Sequence, residues 1–508
     1  MEYDYSCSSL SIVLIIDLLR VDYDKILGVV RMQRYSRFIL AAVAILGIAA
    51  IPTINMINDR ASRSDESVNK EHLGDKASFK NKNLDIAVFQ GGYGPEYWNE
   101  ITEKFEAAYP GVQVHLTISP RIGDVIRPQI VAGNPPDFLA ISDTEQSGIM
   151  ASLVKEKGLM DITDVFEEKA LDSDQRLKDM ILPGILESKR FSPYSDGQIY
   201  MAPFNAAPMG LIYNKKLFKD KGWKLPETWD EFFALDEELK KPENYAVDEN
   251  GHKIKRALFT YQGIYPEYLE EILYPSLANS AGIAQLKKIF SYEPGSFKTE
   301  PVKKVLDTLA KLGTGGYLMN GTVGLNHTQS QTDMMLGKAV FIVNGSWMEN
   351  EMKDSPREEG FEFGMIPVPV FHKGDERYIL SSYEQFAIPL KAKNPELAKE
   401  FLKFLYTEES VILFAKKSNG TFALKGAQEL SRNYLTPGVY EMFSAYEGAT
   451  AITQEWNIIP KQSKEDMRNQ LFKKAITPIM TGKMTTEEWM NQVENAFADI
   501  QANMIEPY

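Results

Sequence analysis

The stretch from residue 84 to residue 141 alternates strand and helix patterns, and this alternation limits the possible folds more than any other feature. Residues 84–89 have the pattern of a buried strand, 96–109 carry apolar residues at helical spacing, and 112–116 alternate with period two. Residues 138–141 form another short apolar run. The sequence therefore predicts βαβ units in an open α/β sheet, and in such sheets the ligand faces the carboxyl ends of the strands.

Length and charge exclude several classes of protein. The chain has 508 residues and 44% hydrophobic content, which is enough for two lobes with substantial cores. Acidic residues outnumber basic ones by 70 to 56, and the net charge of -14 disfavours nucleic acid and anionic membrane surfaces as partners. The only cysteine is Cys7, so the body of the chain has neither a disulfide framework nor cysteine ligands for zinc.

The N-terminal segment, residues 1–57, indicates export. Three arginines between residues 31 and 37 precede a largely apolar run at 38–51, which is the order of a secretion signal. Met32 lies within the basic part, so the preceding residues come either from an upstream start or from a longer leader that includes 11–19. The run spans about 14 residues, short of the roughly 20 that cross a bilayer comfortably.

No clear A-x-A cleavage site follows the apolar run, so an uncleaved anchor is the alternative to a released protein. No cysteine follows it either, so we do not expect the lipid anchor that a lipoprotein would carry. Residues 58–83 are rich in polar and charged side chains and lack apolar periodicity, which predicts a flexible tether. We expect the folded part to begin near Leu84.

Seven short motifs follow one another along the rest of the chain. They are Tyr97-Trp98, 109–112, 135–137, 210–215, 226–232, 337–347 and 389–405. Their order resembles that of the bacterial solute-binding proteins of ABC sugar importers, the family of the maltose-binding protein, over about residues 84 to 505. Within this family, residues 118–128 and 345–352 resemble the binding proteins for N-acetylglucosamine and chitobiose.

The resemblance implies a two-lobed, periplasmic-binding-protein-like α/β fold in which each lobe is discontinuous and a hinge joins the two. The implied segments are 84–203 with 384–435 for lobe one, 204–383 with 436–508 for lobe two, and crossovers near 200–203 and 381–383. It also implies a monomer that binds a carbohydrate between its lobes, delivers it to membrane permease subunits and catalyses nothing.

A neutral sugar needs aromatic rings for its C–H faces and charged or amide groups for its hydroxyls. In the family, the tryptophan of the 344–347 motif stacks on the sugar, which assigns this role to Trp347; the alternative is a core tryptophan. The family also has a carboxylate after the strand at 138–141, which corresponds to Asp143. The alternative for Asp143 is a helix N-cap.

The resemblance and the predicted strand ends suggest further ligand-binding residues, each with core or surface packing as its alternative. They are Gln90 and Tyr93 in the first strand-to-helix turn, Phe204 and Asn205 past the first crossover, Gln262 and Tyr265 in a loop of lobe two, Tyr383 and Glu384 at the second crossover, and Trp456. Where the family has an acidic residue in the lobe-two loop, this chain has the amide Gln262, which leaves that hydrogen-bonding role open.

An enzyme is the main alternative to a binding protein. A glycoside hydrolase needs two carboxylates roughly 5 to 9.5 Å apart, and the sequence singles out no such pair among its 70 acidic residues. The chain lacks the nucleophile-elbow, zinc-protease, phosphate-loop and dinucleotide motifs, and its five histidines are scattered. The sequence therefore predicts binding without catalysis, cofactor or metal, in the service of a transporter or, alternatively, of a membrane sensor.

Overall fold

The computed structural model describes residues 79–142, 145, 147–194, 196–248 and 250–504. The predicted signal or anchor segment, most of the predicted tether and Asp143 lie outside the described residues. Within them, no helix combines the length and the apolar character that crossing a membrane requires.

The strands of the described residues are the following. They are β1 Asn83–Phe89, β2 Gln113–Ser119, β3 Phe138–Ile141, β4 Ala202–Pro203, β5 Ala207–Asn214, β6 Ala246–Val247, β7 Lys253–Ile254, β8 Ala257–Thr260, β9 Ala339–Gly345, β10 Phe363–Ile366, β11 Tyr378–Ser382, β12 Gln385–Ala387 and β13 Thr450–Ile452.

The helices alternate with these strands. The α-helices are α1 Glu96–Ala108, α2 Ile122–Val131, α3 Ile149–Lys155, α4 Thr163–Glu167, α5 Leu177–Met180, α6 Lys215–Lys221, α7 Trp229–Ala234, α8 Asp236–Leu239, α9 Glu270–Ala281, α10 Ile283–Phe290, α11 Glu300–Thr314, α12 His327–Met335, α13 Met348–Glu351, α14 Pro395–Leu405, α15 Glu408–Ser418, α16 Ala427–Ser431, α17 Pro437–Met442, α18 Ile476–Met480 and α19 Thr486–Ala502. Short 3₁₀ turns at Pro242–Asn244, Pro266–Leu269, Thr322–Gly324 and Phe443–Tyr446 and a π-helical turn at Asn469–Lys473 complete the set.

Two large sheets and a separate two-stranded sheet of β6 and β7 organise the described elements, which confirms the α/β prediction. The sheet of lobe one has the order β2-β1-β3-β12-β4, with β1 parallel to β2 and β3. The sheet of lobe two has the order β13-β11-β5-β9-β8, with β8 parallel to β9, and β10 pairs with the far half of β5. Each of the two large sheets packs against its own hydrophobic core.

The first helix illustrates why the local pattern was sufficient there. The buried face of α1 carries Tyr97, Trp98, Ile101 and Phe105 at helical spacing. The Phe105 ring packs edge-on against Phe401 with ring centroids 4.9 Å apart, which joins α1 to α14 in the core of lobe one. The predicted βαβ unit is therefore present as β1, α1 and β2.

The chain passes between the two sheets at short extended segments. It leaves β4 at Pro203 and enters β5 at Ala207, and it returns between Ser382 of β11 and Gln385 of β12. Farther along, Ala427 packs in the core of lobe one and Leu435 packs against residues of lobe two.

Folding contacts begin before Leu84. The Phe79 ring lies 6.3 Å from the Tyr109 ring, and the Gln113 backbone N–H donates to the Lys82 carbonyl over 2.8 Å. The last residues of the predicted tether, from Phe79 onward, therefore belong to lobe one. The periodicity missed them because they lie beside the edge strand without forming a regular element.

Two of the ordered motifs bond to the backbone at the beginning of β1. The Asp137 carboxylate accepts from the backbone N–H groups of Asp85 at 3.1 Å and Asn394 at 2.8 Å. The Asn394 side chain donates to the carbonyls of Asn81 and Asn83 at 3.0 and 2.8 Å. These buried polar residues thus satisfy backbone groups beside β1, which gives the motifs at 135–137 and 394–395 a structural role.

Candidate functional site

The two crossovers between the lobes lie side by side and bond to each other. The Phe204 backbone N–H donates to the Glu384 carbonyl at 2.7 Å, and the Glu384 backbone N–H donates to Asn205 Oδ1 at 2.9 Å. Asn205 is 1% exposed, so its amide is committed to this backbone contact. Asn205 therefore joins the two segments that connect the lobes by a hydrogen bond.

Phe204 is placed differently from the expectation that it lines the cleft. Its ring is 2% exposed and packs in the core of lobe one, 4.9 Å from Phe386 and 4.7 Å from Phe414. It has no open face for a sugar in this arrangement. Phe204 is buried because the backbone after β4 directs its side chain into the aromatic core of lobe one, away from the space between the lobes.

Trp347 lies where the two lobes meet. The indole folds back over Gly345, whose missing side chain leaves the space that three indole carbons, Cζ3, Cη2 and Cε3, occupy. On the side of lobe one, a methyl group on Gly92 would lie 3.0 Å from the indole Cδ1. The Asn350 side chain donates to the Gly92 carbonyl at 2.8 Å. The half-buried indole therefore packs against residues of both cores.

Tyr93, in the same turn of lobe one as Gly92, is buried beside this contact. Burial raises the pKa of its phenol, the nearby Glu384 carboxylate raises it further, and a hydrogen bond with the Ser346 side chain lowers it. Glu384 also approaches the neighbouring glycine, since a methyl group on Gly91 would lie 3.5 Å from Glu384 Oε1. The structure thus brings the β1–α1 turn and the second crossover of lobe one together with Ser346 and Trp347 of lobe two.

Tyr383 and Gln90 flank this meeting point. Arg190 donates to the Tyr383 carbonyl at 2.8 Å, and burial raises the pKa of the Tyr383 phenol, while a hydrogen bond to Ser381 and the charge of Arg190 lower it. Gln90 is exposed, and its backbone N–H donates to the Ser119 carbonyl at 3.1 Å. The Gln90 side chain is therefore turned toward solvent at the carboxyl end of β1.

Tyr265 lies on lobe two at the carboxyl ends of the parallel strands β8 and β9. Its ring is 5.5 Å from the His327 imidazole, and His327 Nε2 is 3.6 Å from Glu351 Oε1. Burial raises the pKa of the Glu351 carboxyl, and the neighbouring His327 and the hydrogen bond from Gln331 lower it. Sequence reasoning missed His327 and Glu351. Glu351 could have been predicted, because it lies four residues after Trp347 and residues at that spacing share one face of a helix. No sequence pattern pointed to His327.

Gln262 and Trp456 are packed within lobe two. The Gln262 side chain is fully buried and donates from Nε2 to the Val343 carbonyl at 2.9 Å. The Trp456 indole stacks on Tyr292 with centroids 5.4 Å apart and donates from Nε1 to the Tyr274 hydroxyl at 3.2 Å. One face of Trp456 is thus already used, and a stacking role for this ring stays a prediction.

The candidate site therefore comprises residues of both lobes. Lobe one contributes Gly92, Tyr93 and Glu384, and lobe two contributes Trp347 and the group of Tyr265, His327 and Glu351, which is joined to Trp347 by a backbone hydrogen bond from Glu351. Aromatic rings next to carboxylate and hydroxyl groups match the chemistry of sugar recognition. In the described part of the chain, no group of three or more His, Cys, Asp or Glu side chains is arranged to hold a metal ion.

Comparison with known proteins identifies the family over most of the chain. The family model described as bacterial extracellular solute-binding protein matches residues 91–412. The chain is 25% identical over 353 residues to the diacetylchitobiose binding protein NgcE of Streptomyces coelicolor, covering 68% of this chain and 70% of NgcE. It is 24% identical over 410 residues to the multiple sugar-binding protein of Streptococcus mutans, covering 80% of this chain and 87% of that protein.

Solved structures share the fold. The apo form of RafE from Streptococcus pneumoniae superimposes with a TM-score of 0.62 at 18% identity, covering 84% of this chain and all of RafE (100%). A structure described as a chitin oligosaccharide binding protein gives a TM-score of 0.63 at 21% identity with the same coverages, 84% and 100%. These likenesses support the two-lobed α/β architecture.

Proposed function

Because the chain belongs to the bacterial extracellular solute-binding proteins, we propose that it captures a sugar between its lobes outside the cytoplasm and delivers it to an ABC transporter permease. Members of this family bind solutes and are not enzymes. The observation that supports the proposal is the position of Trp347, whose indole packs against residues of both cores and lies against Gly92, next to Tyr93, which interacts with Glu384 and Ser346. An aromatic face with hydroxyl and carboxylate groups at its edge is what a sugar requires.

For the ligand, we propose N-acetylglucosamine or a chito-oligosaccharide. The support is the sequence similarity to NgcE and to a second Streptomyces coelicolor diacetylchitobiose binding protein, DasA, which is 23% identical over 483 residues. The stretches at 118–128 and 345–352 resemble binding proteins for these sugars, and 345–352 includes both Trp347 and Glu351.

For the mechanism, we propose that the ligand shifts an equilibrium between open and closed lobes. The sugar would bind first to one lobe, and contacts from the other lobe would then stabilise the closed form that the permease recognises. Small-angle scattering should show a smaller radius of gyration at saturating sugar. An unchanged radius at saturation would contradict closure.

The decisive experiment is a thermal-shift screen against mono- and oligosaccharides, starting with N-acetylglucosamine and diacetylchitobiose. A ligand that binds only the folded form must raise the melting temperature. Trp347→Ala should then weaken binding by more than about 1 kcal/mol, the scale of one aromatic interaction, with little loss of stability. The matched control is Trp223→Ala, which removes a half-buried tryptophan packed on Phe218. Wild-type affinity in the Trp347 variant would assign that ring to the core.

The partner and the attachment to the cell are tested separately. Co-purification from membranes with permease subunits would support a transporter, and co-purification with a receptor kinase would indicate a sensor instead. We propose that the protein is exported and either held by the uncleaved apolar run at 38–51 or released. Fractionation of cells into membrane and medium distinguishes these two outcomes.

A further inference from the structure

A polar cluster on lobe two includes Glu351, which follows Trp347 in the chain, and of its residues only Tyr265 was predicted from the sequence to bind a ligand. It consists of Tyr265, His327, Gln331 and Glu351, and we call it the Glu351 cluster. Gln331 Nε2 donates to Glu351 Oε2 at 3.0 Å, and His327 Nε2 lies 3.6 Å from Glu351 Oε1. The first distance is a hydrogen bond, whereas the second is an ion-pair distance too long for one.

The Glu351 cluster retains unused hydrogen-bonding capacity. A carboxylate offers about four lone-pair sites, and Gln331 occupies one of those on Glu351. Gln331 is fully buried at 0% exposure, and its Oε1 has no hydrogen-bond partner among the described residues. The Gln331 amide holds the Glu351 carboxylate through Nε2, and its buried Oε1 could be satisfied by an ordered internal water, which is the usual partner of such atoms.

The position of the Glu351 cluster favours a ligand over a purely structural role. Tyr265 follows β8 and Glu351 follows β9, and these strands are parallel. Ligands bind outside the carboxyl ends of parallel strands. The Glu351 backbone N–H donates to the Trp347 carbonyl at 3.0 Å, so residue 351 lies one helical turn after residue 347. The side chains of His327 and Glu351 remain 38% and 22% exposed, which leaves the cluster accessible.

The charges around the cluster favour a neutral, hydroxyl-rich ligand. Burial raises the pKa of the Tyr268 phenol, and the nearby Glu351 and Glu267 carboxylates raise it further. Within this set His327 is the only side chain that can carry a positive charge. An anionic group would be repelled there, whereas a hydroxyl donates readily to a carboxylate in a short, strong hydrogen bond.

We propose that Glu351, oriented by Gln331 and His327, is a specificity-determining residue that accepts hydrogen bonds from the hydroxyls of a neutral sugar. This inference rests on the proposed sugar-binding function. It adds a polar contact, from the last residue of α13, to the aromatic contact of Trp347, the residue directly before α13.

The test measures affinity by calorimetry for wild type, Glu351→Gln, His327→Gln and the control Glu359→Gln, with N-acetylglucosamine, diacetylchitobiose, maltotriose and raffinose as probes. Glu359 is exposed and undergoes the same chemical change. Loss of a charge-assisted hydrogen bond should weaken the best-bound probe about tenfold in Glu351→Gln. His327→Gln should have a smaller effect, and Glu359→Gln should leave affinity within twofold of wild type.

Monodeoxy derivatives of the best-bound probe separate direct contact from an indirect effect. Wild type should lose affinity when one particular hydroxyl is removed, and Glu351→Gln should lose no more for that derivative, because both changes delete the same contact. Additive losses for every derivative, or wild-type affinity in Glu351→Gln, would overturn the inference and leave the proposed function standing. If wild type binds none of the four probes, the proposed function fails and the inference fails with it.

Discussion

Gly345 sets the position of the Trp347 indole, so Gly345→Ala is a sharp test of the candidate site. A methyl group at residue 345 would overlap three indole carbons, Cζ3, Cη2 and Cε3. Carbon atoms attract best at about 3.5 to 4.0 Å, so the ring would have to retreat by about 1.5 Å. It cannot do so freely, because Gly92 of lobe one lies against the Cδ1 edge.

Overpacking of this kind costs about 1–3 kcal/mol. We expect the cost to appear as lost ligand affinity, because a displaced indole no longer fits between the lobes. The affinity for the sugar identified in the thermal-shift screen should fall about tenfold or more, comparable to Trp347→Ala. Titration calorimetry measures the affinity, and circular dichroism with thermal melting checks that the variant is folded.

Two glycine variants serve as graded controls. Gly92→Ala places a methyl 3.0 Å from the indole Cδ1, so a small shift accommodates it and a milder loss is expected. Gly448→Ala meets nothing within 4 Å and should bind as wild type does. If Gly345→Ala keeps wild-type affinity while Trp347→Ala loses it, the indole does not need the position described above, and the reasoning is refuted.

Two further predictions concern stability and lobe contact. Burial, and secondarily the charge of Glu270, raise the pKa of the Glu271 carboxyl well above 4.5, so its stabilising contribution is complete below that pH and is lost as the pH rises through the folded-state pKa. Glu271→Gln should therefore melt higher than wild type at pH 8, with the difference shrinking toward pH 4.5; a pH-independent difference would contradict this assignment. Asn350→Ala removes the 2.8 Å bond to the Gly92 carbonyl, worth about 1 kcal/mol, and should enlarge the ligand-free radius of gyration in small-angle scattering. The control Lys353→Ala, at an exposed ion pair 3.9 Å from Glu96, should leave that radius unchanged.

The fold of lobe one was largely predictable because local pattern and packing agree there. The large apolar side chains of α1, Tyr97, Trp98, Ile101 and Phe105, are buried in the structure, and the run at 138–141 is β3. The pairing of these elements follows from the general behaviour of βαβ units. The start of the fold at Phe79 was not predictable, since it depends on a contact with Tyr109 rather than on periodicity.

The candidate site was predictable only where a residue follows a strand or belongs to an ordered motif. Tyr93, Glu384, Tyr265 and Trp347 were predicted in this way, the structure places them in the candidate site, and their contact with a ligand stays a prediction. Phe204 was expected in the cleft but is packed in the core. The direction of one side chain at a crossover depends on how two distant strands pair, and the sequence does not specify that pairing.

The sequence by itself determined the α/β class and the order of motifs that marks the family. These properties can be predicted from the sequence because they depend on the periodicity and spacing of residues that are close together in the chain. Only the tertiary structure decided that Gly92 faces Trp347, that Asn205 fastens the two crossovers, and that His327 joins Glu351. Each of these contacts joins residues far apart in the chain, and their geometry arises only when the sheets and helices pack.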